Sequence, residues 1–325
     1  MGTIKIIAIA LLALACVSTA QQVENKAPAQ QAQNEVSKRP AEERRFRGIR
    51  GSNRVGIDID RFIGRPSSNQ IIVTHEVMLK QPILRKGDPY NPRDASAVVE
   101  YREDHAHAWL LPHNATPLVE AELQHIFYIQ SGSGRLDNGS LQWDLQPGIA
   151  VLVPAGVPHR LSNTGDGSLG MLMLSWQSSE GVVPRKDILV RDANLLPFAE
   201  KNAHWNNMAK NLFHPSDGLH PNEKVLVVYL PPMAMASPHP HVEGWEEVWA
   251  NIGPGPSILM LGSELREMPA NTAFLSPPNG QTVHAVINTT KDEVQAFFYF
   301  GRYTQKAPDD FGDEGTVAGQ KMRKK

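Results

Sequence analysis

Gly148-Ile-Ala-Val-Leu-Val-Pro154-Ala-Gly156-Val-Pro-His159-Arg-Leu-Ser-Asn163 is the stretch of this 325-residue chain that decides its fold. The apolar run Ile149–Val153 predicts a strand. Pro154 then fixes φ and Gly156 tolerates positive φ, so the chain turns sharply and aims a second strand carrying His159. Much later the same order returns as Pro277-Pro-Asn-Gly280-Gln-Thr-Val-His284-Ala-Val-Ile-Asn288. Asn271 stands where Gly148 does, a mild change because Asn also tolerates the left-handed region. Upstream of this second copy lies His239-Pro-His241-Val-Glu-Gly-Trp-Glu246. Histidines at i and i+2 of a strand project from one face. A carboxylate past a tight turn and a histidine from a neighbouring strand can converge with them. Neutral imidazole and carboxylate are the donors that hold divalent Mn, Fe, Ni, Cu or Zn.

In these residues the chain resembles the cupin superfamily. Its members carry the motifs G-x5-H-x-H-x3,4-E-x6-G and G-x5-P-x-G-x2-H-x3-N on facing strands of a small β-barrel. Residues 148–163 fit the second motif at every position, and residues 239–253 fit the first from the histidine pair to Gly253. The resemblance implies an all-β fold of two tandem cupin barrels (double-stranded β-helix, or jelly-roll), a bicupin. It also implies one divalent transition metal (Fe, Mn, Ni, Cu or Zn) on His239, His241, Glu246 and His284. Glu246 could stay bound or be released to act as a base.

Laying the two copies over each other aligns Glu246-x6-Gly253 with His125-x6-Gly132, Pro277 with Pro154, His284 with His159, and Asn288 with Asn163. Leu118 and Glu120 then fall at the first copy's histidine-pair positions, and His125 at its glutamate position. Glu120, His125 and His159 form a candidate second metal site, two imidazoles and one carboxylate. Its exchanged ligands make it the weaker of the two, and the N-terminal barrel is expected to serve mainly as structure. His105-Ala-His107 lies too early for the motif, although the Pro112–Ala115 turn could bring His107 across from Glu120. His75, His113, His204, His214 and His220 lie outside the motifs, and no functional role is expected for them.

A hydrophobic content of 41% suits globular domains, and 25 Gly with 25 Pro suits short strands joined by tight turns. The division expected is a signal peptide at 1–20, a disordered linker at 21–46, an N-terminal barrel at 47–180, an inter-barrel segment at 181–215, a C-terminal barrel at 216–304 and a polar tail at 305–325. Residues 192–211 hold the best helical pattern. Lys5 before the apolar run Ile6–Val17, then Ser18-Thr19-Ala20, fits an export signal cleaved before Gln21. The chain is therefore expected in the periplasm or secreted, with no permanent membrane span, because the run is too short for one. The rival reading acylates Cys16, the single cysteine, as a lipoprotein. Cleavage at Gln21 would leave no thiol and hence no disulfide.

A net charge of −2 offers no basic face, which argues against nucleic-acid partners. The partner expected is a small molecule. The leading function is an exported metal-dependent enzyme acting on a small oxygen-rich molecule, with dioxygenase chemistry ahead of isomerase, lyase or decarboxylase. The alternatives are a sugar or sugar-acid binding protein with a structural metal, and a non-catalytic storage or scaffold protein. Trp245, Trp249, Tyr229, Phe297 and Phe298 flank the motif strands, as pocket walls or as ordinary core.

Overall fold

The strand Leu169–Trp176 is buried along its whole length because its residues alternate between two cores. Leu169, Met171 and Met173 join Phe127, Ile129, Val151 and Val153 inside the first barrel. Leu172, Leu174 and Trp176 instead pack with Ile126, Leu152, Val227, Phe298 and Phe300. This second core draws on both barrels, so their large sheets lie back to back; the Tyr128 and Phe298 rings meet across the junction at 5.6 Å. Burial on both faces is why these strands read as continuous apolar runs and show no alternation.

The computed structural model describes residues 58–199 and 206–303. The expected export segment with Cys16, the linker 21–46 and the tail 305–325 lie outside them. Among the described residues helix is limited to three short 3-10 turns, and no helix is long and apolar enough to cross a membrane. Each barrel combines a large sheet with a small one. In the first, the large sheet runs in the order Leu189–Asp192, Ile149–Val153, Gln124–Ser131, Leu169–Trp176, Asp104–Leu110, Met78–Lys86, Ile72–Thr74. Its small sheet holds Val119–Glu120, Pro158–Asn163, Gly134–Asp137 and Gln142–Leu145. In the second, the order is Ile63–Gly64, Ala273–Ser276, Glu246–Asn251, Gln295–Arg302, Glu223–Leu230, Met208–Phe213, opposed by Glu264–Met268, Ser257–Leu261 and His284–Ile287.

The two barrels exchange their leading strands. Ile63–Gly64 precedes the first barrel in sequence but pairs with Ala273–Phe274 of the second. Leu189–Asp192 precedes the second barrel but pairs with Ile149–Leu152 of the first. Ile149–Val153 and Ala273–Ser276 are equivalent strands of the repeat, so each copy has its motif strand flanked by the other's leader. The crossing is tight at Gly64, where a Cβ would come within 1.9 Å of the Ile83 carbonyl oxygen.

The helix expected over 192–211 is not formed by the described residues: Met208–Phe213 is a strand paired with Val225–Tyr229. Its ladder and the burial of Ala209, Leu212 and Phe213 outweigh a local helical pattern. The motif turns match the sequence reading. Gly156 and Gly280 adopt φ 72° and 71°, and Asn271 takes φ 61° where its counterpart Gly148 takes 97°. The closing asparagines do the same work in both copies. Asn163 donates from Nδ2 to the Leu110 and Gly167 carbonyls, and Asn288 donates to those of Leu230, Pro231 and Glu293.

Candidate metal centre

His239 faces His284 across an isolated antiparallel bridge, with backbone hydrogen bonds of 3.3 and 3.1 Å. Two residues on, His241 projects from the same side. The three ring centroids lie 4.7–4.9 Å apart, and one ligand atom from each ring falls within 4.8 Å of the others. Nδ1 of His239 lies 2.7 Å from the Ser237 carbonyl, which requires Nδ1 to carry the proton and leaves the Nε2 lone pair facing inward. Nδ1 of His284 lies 3.1 Å from Ser276 Oγ. Holding the outer nitrogen with an oxygen partner is the usual way a protein orients a histidine ligand. The Trp245 ring stacks on His241 at 4.9 Å.

The carboxylate beside these histidines is Glu247, a correction to the expectation of Glu246. Glu247 Oε2 sits 2.5 Å from His241 Nε2, and Oε1 sits 2.8 Å from His284 Nε2. Trp249 Nε1 and Tyr299 OH also donate to it, at 2.5 and 3.0 Å. Burial alone would raise this carboxyl, but the His241 and His284 imidazoles hold it well below the usual carboxylate range. Burial lowers the pKa of His284 itself, against the pull of Glu247. Glu246, its neighbour on the strand, points the other way. It accepts the Glu100 and Tyr101 amides of the first barrel at 2.6 and 3.2 Å, and burial raises its pKa despite the nearby Arg102. It is a junction residue, away from the histidines.

Motif spacing misplaced the carboxylate by one because Glu247 lies one residue closer to Gly253 than the motif has it, and a bulge in the first copy hides the mismatch in the repeat. Glu247 lies opposite Ser276, just before Pro277, as His125 lies opposite Val153, just before Pro154. His125 therefore matches Glu247. The Gln124–Ser131 strand takes an extra residue between Ile129 and Ser131, where pairing with Met171 and Gly170 shifts register. Counting back from Gly132 and Gly253 thus gives a register one residue off. A slip of one exchanges the faces of a strand.

In the first barrel the structure brings His125 and His159 together but not Glu120. Val119 pairs with His159 and Glu120 with Pro158, so Glu120 is on the face opposite His159 and is exposed. Leu118 is 48% exposed. His107 stacks on Trp109 within the Asp104–Leu110 strand, away from Glu120. The third member is His75, which lies outside both motifs and was expected to have no functional role. It comes from the turn between Ile72–Thr74 and Met78–Lys86, and its Nε2 lies 3.0 Å from His159 Nε2. No motif spacing reaches so far ahead of the barrel's own motif strands. Of the flanking aromatics, Trp249, Phe297 and Phe298 are core, while Trp245 packs with Tyr303 beside the site.

Three imidazoles with convergent nitrogens and a desolvated carboxylate form a donor set that fits a divalent transition ion. A family model for the cupin domain matches residues 113–175. No curated protein sequence matches the chain. Among solved structures, the chain is similar to a mutant oxalate decarboxylase of Bacillus subtilis, at 13% identity and TM-score 0.55 over 77% of this chain and 79% of that one. It is also similar to a bacterial pirin from Escherichia coli in complex with nickel(II), at 11% identity and TM-score 0.53 over 74% and 98%. A third similarity is to the 7S globulin of Momordica charantia, at 12% identity and TM-score 0.54 over 74% and 85%. At these identities the likeness is one of fold. Motif, topology and comparisons agree on a cupin fold, built as two barrels in tandem, with the cupin domain matched over residues 113–175 of the first barrel.

Proposed function

We propose that this protein is an exported, metal-dependent bicupin enzyme whose second barrel transforms a small oxygen-rich molecule. The observation that carries the reading is the convergence of His239, His241 and His284 on one point beside Glu247. A divalent ion bound there supplies Lewis acidity toward a carboxylate, carbonyl or hydroxyl of the substrate. The chain's own residues do the rest. Trp249 and Tyr299 fix the Glu247 carboxylate by donating to both of its oxygens, and Tyr303 extends this chain through a 2.9 Å contact with Tyr299 OH. Trp245 holds His241 from its open side. Glu247, ionised and anchored, can stay a ligand or accept a proton from substrate.

Dioxygenase chemistry is the form of this function we favour, ahead of isomerase, lyase or decarboxylase chemistry, because four protein donors leave two positions on an octahedral ion. Purification followed by elemental analysis and oxygen-electrode assay with hydroxy-acid and phenolic substrates tests it. Iron or copper with dioxygen uptake is the outcome expected; manganese or nickel without uptake points to the other three chemistries. The similarity to a 7S globulin supports a second reading, a binding or storage protein. Purified protein devoid of tightly held metal would favour it.

A further inference from the structure

We infer that a polar cleft at the crossing of the exchanged leader, walled by Arg85, Asp94, Ser96, Ser68 and Asn69, binds a small hydroxylated carboxylate of the hydroxy-acid or sugar-acid kind. The cleft has a volume of about 480 Å³, within the range of small-molecule sites. Ile63 of the leader strand, with Ser68 and Asn69 at the end of the 3-10 turn that follows, makes one wall. Arg85 of the Met78–Lys86 strand and the segment Asp94–Ser96 make the other. None of these residues belongs to either histidine cluster.

Arg85 supplies the clearest sign. Its Nη2 donates to the Ala95 carbonyl at 3.3 Å, which fixes the guanidinium plane, while its Nε is enclosed and has no hydrogen-bond partner. An enclosed N–H left unpaired costs free energy that an oxygen of a ligand recovers. A guanidinium offers parallel donors that match the two oxygens of a carboxylate. Asp94 sets the rest of the chemistry. Its carboxylate accepts from ligand hydroxyls but repels the second charge of a phosphate. Asn69 is held by its Nδ2, which donates to the Pro82 carbonyl at 2.9 Å, and this leaves Oδ1 to accept another hydroxyl.

The backbone at Ser96 is a separate observation. Ser96 is buried and takes φ 63°, in the left-handed region that non-glycine residues adopt at a cost. Its amide donates to the Arg61 carbonyl at 2.8 Å, and its carbonyl accepts from the Arg85 amide at 2.7 Å, so the turn is locked to the Arg85 strand. Glycine would take this conformation without strain but would bring no hydroxyl. Strain of this kind tends to persist where position matters to function, and here it keeps a hydroxyl in the same wall as the guanidinium.

The test is isothermal titration of the full-length protein with gluconate, compared with acetate, inorganic phosphate and glucose. His241→Ala serves as the background, because it disables the second-barrel centre as a competing site. In that background one equivalent of gluconate should bind, more tightly than any of the other three. Adding Arg85→Gln should weaken gluconate about 10–100-fold, the worth of a charge-assisted hydrogen bond. Adding Asp94→Ala should weaken gluconate and leave acetate unchanged. Asp94 is exposed, so this variant decides the matter where thermal unfolding shows Arg85→Gln to be misfolded. Gluconate binding that is absent from His241→Ala, or unchanged in folded Arg85→Gln or in Asp94→Ala, would overturn the cleft. Acetate or phosphate binding as tightly as gluconate would overturn it too.

Discussion

At the scale of single residues, the second-barrel site depends on how Glu247 is held. Tyr299 donates to Oε2 from a fully buried position, and Tyr299→Phe removes that donor while keeping the ring. Metal affinity in Tyr299→Phe should fall by about 10–100-fold, as for other outer partners of ligands, in a competition titration. Unchanged affinity would show that Glu247 is oriented without Tyr299. The buried histidines add a pH dependence. Burial lowers His75 to about 4, aided by His159 and Lys80, and lowers His105 to about 3, aided by Arg102. Their folded pKa values lie below the unfolded value, so the unfolded chain takes up protons first as pH falls. Stability is therefore full above about 6.5 and declines toward pH 4 and below. Chemical denaturation of metal-free protein should give a lower unfolding free energy at pH 5 than at pH 7.5, and His105→Leu should flatten the slope. Equal values at both pH would contradict this.

At the scale of elements, the sequence made the repeat legible and hid its register. Gly156, Gly280 and Asn271 each sit in the turn conformation their residue type announces. The apolar runs Ile149–Val153 and Leu169–Trp176 are strands, and the histidines of the second copy converge. Three things were not legible, each because it depends on pairing between distant segments. Motif spacing selects Glu246 over Glu247, and the extra residue of the bulge in Gln124–Ser131 hides the mismatch in the repeat. The turn that brings His75 to His159 links residues that no motif connects. Met208–Phe213 became a strand because a partner edge was available. The exchanged leading strand gives its own prediction. Gly64→Ala places a Cβ against the Ile83 carbonyl and should destabilise the fold by about 1–3 kcal/mol, as over-packed positions do. An unchanged melting temperature would mean that Gly64 does not pass this close to the Met78–Lys86 strand of the first barrel.

At the scale of the whole molecule, the barrels are one folding unit. Besides the shared core, a buried ion pair spans the junction: Arg102 of the first barrel meets Glu223 of the second at 3.2 Å, with both side chains inaccessible. The Arg102 guanidinium also lies 3.4 Å from the centre of the Phe300 ring and 4.6 Å from that of Trp176. Truncating Arg102 leaves buried Glu223 with only the longer 3.5 Å contact to Arg302, so Arg102→Ala should cost about 3 kcal/mol. Unfolding should remain a single transition, since neither barrel keeps its edge strand without the other. Two separate transitions in calorimetry would contradict this.

His239, His241, His284 and Glu247 are placed to hold one ion, with Glu246 turned away toward the barrel junction. Metal content per chain in Glu247→Gln and Glu246→Gln, each compared with the native protein, tests it most directly. Glu247→Gln should lose most of the second-barrel metal, while Glu246→Gln keeps it and only loses stability. Loss in Glu246→Gln with retention in Glu247→Gln, or retention in both, would contradict it.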